Sequence, residues 1–264
     1  MSFFEAKHIT AGYGRTMIVS DVSFSMESGC LTGVIGANGS GKTTLLKALC
    51  GILPHAGECV LDGTVLEQLS ARQMARLCSY IPQRSGVSID ISALDVVLMG
   101  FNPQLPLLSH PTAAMHAQAQ EALVQVGLDG KADVNYLHLS EGQKQLCILA
   151  RTLVSESRLL LLDEPESALD FRFRYSMLDL LRRWTADNQR SVIVTLHDPS
   201  LALNYCDQLL LLENGSIADI LHPSADSLQR MEEALSRIYG SVSLHRLSSR
   251  SGRAQLVMLK EEDA

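Results

Sequence analysis

The chain has 264 residues, of which 46% are hydrophobic and 19% are charged, a composition typical of a globular protein that excludes a disordered or fibrous chain. The 22 Lys and Arg residues against 29 Asp and Glu give a net charge of -7. This charge argues against sequence-independent binding to nucleic acid or to an anionic membrane surface. The length predicts one large domain or two small ones, at about 150 residues per domain.

Two features of the sequence bear on where the chain works. Its longest aliphatic runs are four residues long, as at 159–162 and 209–212, whereas a membrane-spanning helix needs about 20 apolar residues. The first residues, MSFFEAKHIT, lack the basic start, apolar stretch and cleavage site of a secretory signal. We therefore expect the chain not to cross a membrane by itself and to stay in the cytoplasm.

Cysteine usage does not indicate a metal site. The six cysteines lie far apart, with no C-x-x-C pair and no nearby histidine at ligand spacing. Free cysteine is commonly buried as a small apolar residue. We interpret all six in this way: Cys30, Cys50, Cys59, Cys78, Cys147 and Cys206.

The first part of the chain is predicted to be rich in strands. Three β-segments are expected before a glycine-rich loop, and a helix beginning near Thr43 should end at Gly51. The dipeptide Asp62-Gly63 predicts a hairpin over residues 58–66. A Ser-x-x-Gln capping box predicts a short helix before a strand at residues 80–81. The remaining predicted segments are the strands 3–9, 17–26 and 31–35 and the helix 70–78.

The second part of the chain begins with a helical block and then alternates strands with helices. Ser92 with Asp95 gives a helix start signal, and apolar residues recur at helical spacing up to residue 126, with a breaker between. The alternation that follows predicts a mainly parallel sheet covered by helices. The predicted segments are the strands 159–162, 192–195 and 208–212, the helices 140–153 and 171–188, and a tail with helix 227–239 and strands 242–246 and 256–260.

The strongest motif is a phosphate loop, G-x-x-x-x-G-K-[ST], between a predicted strand and a predicted helix. Glycines allow several backbone N–H groups to point at one anion, and the helix N-terminus adds positive potential. Lys42 can reach the terminal phosphates, and Thr43 can ligate Mg²⁺. A chance glycine turn is the alternative, but the strand-loop-helix context disfavours it. The predicted nucleotide-binding residues are Gly36, Asn38, Gly39, Ser40, Gly41, Lys42, Thr43 and Thr44.

Two carboxylates follow the apolar run 159–162, at the end of the strand where ligands of open α/β sheets bind. Neighbouring residues on a strand face opposite sides, so the two acids can have different roles. Asp163 is predicted to hold Mg²⁺ through water, and Glu164 to act as general base toward the attacking water. The alternative, that both acids cap a following helix, is disfavoured beside a phosphate loop.

Three further pieces complete a recognisable order of motifs: Gln83 in YIPQ, LSEGQ at 139–143, and His197 directly after the strand 192–195. With them the chain resembles the ATP-binding subunit of ABC transporters over nearly its whole length, and is most similar to the ATPases of iron-siderophore, haem and cobalamin importers. The resemblance implies an α/β P-loop NTPase of the ABC ATPase type. Its mainly parallel sheet core would carry an antiparallel β subdomain and an inserted α-helical subdomain.

The resemblance also implies how the chain is divided. Residues 1–264 would form a single ABC ATPase domain, with the catalytic core and β subdomain at 1–87 and 138–222. Residues 88–137 would be the helical subdomain, and residues 223–264 a short C-terminal extension of helix and strands.

Individual roles follow from the same resemblance. Gln83 would sense Mg²⁺ and the membrane partner, Tyr13 would stack on adenine, and His197 would contact the γ-phosphate, so that Glu164, His197 and Gln83 are the expected catalytic residues. Thr43, Gln83 and Asp163 are the expected metal ligands. Taken singly, a loop glutamine, a turn tyrosine and a histidine after a strand are ordinary structural residues. The expected binding residues for the ATP of the other subunit are Ser140, Gly142 and Gln143, although Ser140 and Gln143 also form a capping box.

The implied function is ATP hydrolysis, with ATP and Mg²⁺, that powers import of a metal-chelate type substrate. Expected partners are a second copy of the chain, integral membrane permease subunits and, indirectly, a substrate-binding protein, but no nucleic acid. The chain would lie peripherally on the cytoplasmic face of the inner membrane. The alternatives are a soluble ABC-type ATPase acting on ribosomes or nucleic acid, and a module that binds ATP without hydrolysing it.

Two residues depart from the family's pattern. Glu141 replaces the usual glycine of the LSEGQ segment, and Glu166 replaces the usual threonine after Asp-Glu-Pro. Each adds a negative charge near a bound polyanion, which costs on the order of 1 kcal/mol at 4 Å even in water. We expect the Glu141 side chain to point away from ATP and to lower affinity or basal rate slightly.

Overall fold

The structure is a computed structural model that describes residues 2–83, 86–106, 108–186, 189–250, 252 and 254–261. Its strands are β1 (Phe4–Tyr13), β2 (Thr16–Met26), β3 (Leu31–Ile35), β4 (His55–Leu61), β5 (Thr64–Val65), β6 (Cys78–Ile81), β7 (Leu159–Leu162), β8 (Ser191–Thr195), β9 (Gln208–Glu213), β10 (Ser216–Leu221), β11 (Val242–Ser248) and β12 (Ala254–Lys260). Its helices are α1 (Lys42–Leu49), α2 (Ala71–Leu77), α3 (Ala93–Leu98), α4 (Ala113–Gln125), α5 (Glu141–Leu153), α6 (Phe171–Thr185), α7 (Pro199–Tyr205) and α8 (Leu228–Tyr239).

A six-stranded sheet in the order β10-β9-β3-β8-β7-β6 forms the centre of the molecule. All its neighbours are parallel except β10, which runs antiparallel to β9. The predicted mainly parallel sheet is therefore confirmed. Both faces of β7 are buried: Leu160 and Leu162 pack on the side of α5 and α6, and Leu159 and Leu161 on the side of α1. Because side chains alternate along a strand, Asp163 is directed to the α1 side.

A four-stranded antiparallel sheet, in the order β2-β1-β4-β5, packs on the other side of α1. The predicted hairpin within it is confirmed, since β4 and β5 pair across Asp62 and Gly63. Both turn residues have positive φ, 47° and 77°, as the tight hairpin turns that match strand twist require. Strand β4 is longer than predicted, because it already begins at His55. It also pairs with β1, which joins the hairpin to the rest of the sheet.

Helices α3, α4 and α5 pack together beside the central sheet. The Ser92 hydroxyl accepts the N–H of Asp95 to begin α3, as the start signal predicts, and Thr112 caps α4 in the same way. Residues 99–106 and 108–112 hold a 3₁₀ turn and loops rather than a continuous helix, because the three prolines of the breaker, Pro103, Pro106 and Pro111, lie there. The limits 88–137 for a helical subdomain stay a prediction.

The tail forms helix α8 and the strands β11 and β12, as predicted, and the two strands pair antiparallel as a hairpin. The hairpin is held to α7 by Asn204, whose Nδ2 donates to the Leu256 carbonyl at 2.7 Å and whose Oδ1 accepts the Leu256 N–H at 2.8 Å. No helix among the described residues is both long and apolar enough to span a membrane. Two positions of the predicted helix 171–188, Asp187 and Asn188, and Leu107 of the predicted breaker lie outside the described residues.

Candidate nucleotide-binding and catalytic site

The phosphate loop connects β3 to α1, as the motif predicts. The Lys42 ammonium folds back over it and donates to the carbonyls of Gly36 and Ala37, at 2.9 and 3.1 Å. Burial lowers the pKa of Lys42, and the carboxylates of Glu164, Asp163 and Glu166 oppose that shift. The loop is therefore closed by its own lysine, beside three acidic side chains.

Close packing explains why this loop needs glycine and a small hydroxyl. A Cβ at Gly36 would lie 2.1 Å from the carbonyl oxygen of Leu212, and Gly41 has a φ of 104°, which side-chain-bearing residues rarely adopt. The Ser40 hydroxyl is buried and has no hydrogen-bond partner among the described residues. A buried orphan hydroxyl is costly, and a phosphate oxygen in the loop would supply the partner.

Asp163 is the centre of a hydrogen-bond network at the end of β7. Its Oδ1 accepts the hydroxyls of Thr43 and Thr195, each at 3.1 Å, and its Oδ2 accepts the Tyr80 hydroxyl at 3.2 Å. Burial and Asp163 itself raise the pKa of Tyr80, so this phenol stays a donor. Our sequence interpretation missed Thr195 and Tyr80 as site residues. The register that pairs Leu162 with Val194 places Thr195 beside Asp163.

Glu164 turns into the cleft because the chain bends sharply after β7. Its φ is 49°, a left-handed conformation that costs a side-chain-bearing residue about 1–2 kcal/mol. The turn is held by the Glu164 N–H, which donates to Thr195 Oγ1 at 2.7 Å. Glu164 Oε2 lies 2.7 Å from His197 Nε2 and accepts a hydrogen bond from the Gln83 amide. The structure thus brings the three predicted catalytic residues into direct contact.

A cleft of about 510 Å³ opens at this point. Tyr13, half exposed at the end of β1, lines it beside Ile18, which our sequence interpretation did not include. The lining residues are Tyr13, Ile18, Asn38, Gly39, Gly41, Lys42, Thr43, Thr44, Gln83, Glu164 and His197.

Ser140, Gly142 and Gln143 lie elsewhere, at the N-terminus of α5, and do not line this cleft. The predicted capping box is present: Gln143 N–H donates to the exposed Ser140 hydroxyl at 3.3 Å, and Ser140 N–H to Gln143 Oε1 at 3.1 Å. A Cβ at Gly142 would lie 2.9 Å from the Ala168 carbonyl oxygen, so this glycine packs directly on the segment after β7.

The two unusual glutamates have opposite surroundings. Glu141 is 78% exposed and its carboxylate lies 2.8 Å from the Lys144 ammonium on the same helix. Glu166 is only 3% exposed. Its Oε1 accepts the backbone N–H of His197 at 2.9 Å, and its Oε2 has no partner within the described part of the chain. Burial raises the pKa of Glu166, which favours a neutral carboxyl there.

Comparison with known proteins decides which family this architecture represents. The family model for "ABC transporter" matches residues 19–167. The hemin import ATP-binding protein HmuV of Bordetella pertussis is 38% identical over 245 residues, which cover 89% of this chain and 91% of that protein. The chain belongs to the ABC transporter family. It is accordingly an ABC ATPase, a protein that binds and hydrolyses ATP.

Two further similarities agree with that membership of the ABC ATPases. The probable iron chelatin transport ATP-binding protein of Helicobacter pylori is 34% identical over 215 residues, 81% of this chain and 84% of that protein. A solved chain of an ABC transporter proposed to be of the metal-chelate type, in an inward-facing conformation, superposes with a TM-score of 0.81. It shares 24% identity and covers 99% of both chains, which shows that the fold is the same.

Proposed function

We propose that this ABC ATPase binds Mg-ATP in the cleft at the ends of β3 and β7 and hydrolyses it to power import through a membrane permease. The observation that carries the proposal is that the phosphate loop, Glu164 and His197 line one cleft, and that Asp163 bonds Thr43 of that loop. The similarity to hemin import and iron chelatin transport proteins supports a cargo of the metal-chelate type. The cargo in this proposal is an iron-siderophore, haem or cobalamin.

The residues present fit a triphosphate with Mg²⁺. Lys42 and the N–H groups of the loop would hold the phosphates, at the positive end of α1. Thr43, Asp163 and Gln83 offer oxygen ligands, which Mg²⁺ prefers, and the Thr43 and Asp163 oxygens already lie 3.1 Å apart. The bound ion would supply neutralisation of phosphate charge.

Glu164 is the side chain best placed to act on water. Its carboxylate is turned into the cleft and is oriented by its contacts with Gln83 and His197. It would accept a proton from water positioned for in-line attack on the terminal phosphate. His197 Nε2 lies 2.7 Å from that carboxylate. Its single N–H would turn to the terminal phosphate when ATP is bound, which would hold that phosphate next to the base.

The active unit is a homodimer in this proposal. Ser140 is exposed at a capped helix N-terminus outside the cleft of its own chain. Together with Gly142 and Gln143 it would meet the phosphates held by a second copy. The segment 167–170, which follows β7, would touch that second copy. Residues 88–137 and the loop after Gln83 would receive the permease on the cytoplasmic face of the membrane. A substrate-binding protein would act through that permease.

Steady-state ATPase measurements on Glu164→Gln test the assignment of the base. We expect the rate to fall about 10²–10⁴-fold, with ATP binding retained because the loop residues are unchanged. Glu121→Gln, an exposed acid on α4, is the matched control and should hydrolyse ATP normally. A Glu164→Gln protein as fast as wild type would remove the assignment.

Co-purification from detergent-solubilised membranes tests the transport role. We expect an integral membrane permease to be recovered with the tagged chain, and cells carrying Glu164→Gln to lose uptake of one metal-chelate substrate among iron-siderophore, haem and cobalamin. Recovery of ribosomes or nucleic acid without a membrane protein would instead support the alternative, a soluble ABC-type ATPase.

A further inference from the structure

A group of three potential metal ligands lies in the antiparallel sheet, outside the nucleotide cleft. His55 and Cys59 are four residues apart on β4 and therefore share one face. Glu67 follows β5 in a 3₁₀ turn and reaches the same place. One imidazole nitrogen, the thiol sulfur and one carboxylate oxygen all lie within 4.8 Å of one another.

The hydrogen bonds of His55 leave one contact unexplained by a neutral imidazole. Its Nδ1 lies 3.3 Å from the Leu53 carbonyl oxygen, and its Nε2 lies 3.0 Å from Glu67 Oε1. Both partners are acceptors, whereas a neutral imidazole carries a single N–H. If Nδ1–H donates to the Leu53 carbonyl, the Nε2 lone pair faces a carboxylate. Either a proton on Nε2 or a metal ion between the two groups would satisfy both of them.

The surroundings match those of metal-binding histidines in proteins. Such histidines commonly donate their second N–H to a backbone carbonyl, which fixes the ring and its tautomer; Leu53 fills that position. Glu67 Oε1 is also oriented, because it accepts the Cys59 N–H at 2.8 Å. The His55 side chain is 7% exposed and Cys59 is fully buried, while Glu67 is 30% exposed and leaves an approach from solvent.

We propose that His55 Nε2, Cys59 Sγ and a Glu67 carboxylate oxygen form a binding site for a divalent transition metal of the Zn²⁺ class, with water as the fourth ligand. Nitrogen, sulfur and oxygen together are the donor set of such borderline ions, and three protein ligands leave one position open. Ligands at 2.0–2.3 Å from a tetrahedral ion stand about 3.5 Å apart. Side-chain rotations that move these ligand atoms by about 1 Å would therefore bring all three within bonding distance of the ion.

Binding would release the proton of the Cys59 thiol to solvent, leaving a thiolate on the metal. Burial, and next the Glu67 carboxylate, raise the pKa of this thiol in the metal-free protein, and a divalent cation reverses that preference. The site also has a defined position relative to the cleft. His55 pairs with Ala11 on β1, two residues before Tyr13, so a bound ion would brace the strand end that carries this aromatic ring.

Titration of the tag-free full chain with Co²⁺ tests the proposal. We expect one equivalent to produce a thiolate-to-metal charge-transfer band, which an oxygen-only site such as that around Asp163 cannot give, and Zn²⁺ should displace it. Cys59→Ala should abolish the band. Cys147→Ala, a buried cysteine in α5 bonded to the Ala93 carbonyl, is the matched control and should retain it.

A second variant keeps the test decisive if the loss of Cys59 impairs folding. Glu67→Gln preserves the size of a partly exposed side chain and should weaken Zn²⁺ binding at least about 10-fold, as loss of even an outer-sphere partner does. Excess Zn²⁺ should raise the Tm of the wild type more than that of Glu67→Gln. Absence of a Co²⁺–thiolate band in the wild type, or a band that persists in Cys59→Ala, would overturn the proposal.

Discussion

Two substitutions of Glu166, a buried carboxyl beside the catalytic cleft, separate its role as a hydrogen-bond acceptor from the effect of its ionisation. Glu166→Gln keeps an oxygen that can accept the His197 N–H and removes the ionisable group. Glu166→Ala removes the acceptor as well. A buried donor left without a partner costs about 1–3 kcal/mol, so we expect Glu166→Ala to be less stable than Glu166→Gln by about this amount, measured by urea unfolding.

The pH dependence of the stability of Glu166→Gln gives a sharper result. Burial raises the pKa of folded Glu166 above its ordinary value of 4.5, so the folded state binds the proton more tightly than the unfolded state. The corresponding stabilisation is present below pH 4.5 and is lost as pH rises through the folded pKa. Within that window, the contribution of Glu166 to the free energy of unfolding falls by about 1.4 kcal/mol for each pH unit.

Urea unfolding of wild type and Glu166→Gln at pH 5 and pH 8 measures this difference. We expect the variant to gain stability relative to wild type at the higher pH. Glu156→Gln, at an exposed position, serves as the control and should show no such trend. A difference between wild type and Glu166→Gln that is the same at both pH values would refute the argument from burial.

Two further substitutions test neighbouring parts of the site. Thr195→Val keeps the shape of the side chain but removes the hydroxyl that joins Asp163 to the Glu164 N–H. We expect the free energy of unfolding in urea to fall by about 1–3 kcal/mol and the ATPase rate to fall as well. Unchanged stability and rate would show that the hydroxyl orients neither group. Glu141→Gly removes an exposed charge near the expected contact with the second nucleotide, and we expect a slight rise in ATP affinity or basal rate. If Glu141→Gly changes neither the ATP affinity nor the basal rate, the Glu141 charge has no effect on the nucleotide.

The sequence alone was sufficient to predict those parts of the site whose residues lie close together in the chain. The phosphate loop, the acids after β7 and the caps at Ser92 and Ser140 are each set by residues within about eight positions, so local chemistry sufficed to predict them. The hydroxyls of Thr195 and Tyr80 on Asp163 could not be predicted in this way. Their contacts depend on the register of three strands, β6, β7 and β8, that are far apart in the chain.

The group of His55, Cys59 and Glu67 escaped sequence reasoning for a related reason. A spacing of four residues between histidine and cysteine is not a familiar zinc-binding motif, and it becomes meaningful only when both residues lie on one strand. The third member comes from beyond the hairpin turn, and its approach depends on the pairing of β4 with β5. Tertiary pairing, rather than motif spacing, therefore creates this candidate site.

The loop after β7 is linked to the end of β8 and to the loop that follows it by several contacts. Glu164 N–H bonds the Thr195 hydroxyl, His197 N–H bonds the Glu166 carboxyl, and the side chains of Glu164 and His197 meet at 2.7 Å. Two of these links involve backbone N–H groups, so they join the two segments at the main chain as well as through side chains. The base and the histidine expected to contact phosphate are thus positioned as one unit.

The loop that holds His197 is also connected, through α7, to the C-terminal hairpin of β11 and β12. Helix α7 begins two residues after His197, and its Ser200 hydroxyl accepts the Met258 N–H of β12 at 3.1 Å, while Asn204 bonds Leu256 on the same strand. The tail is therefore joined through α7 to the loop that holds His197. Glu166 accepts the His197 N–H at 2.9 Å, so this buried side chain joins the loop after β7 to the segment that leads into α7 and, through α7, to the tail.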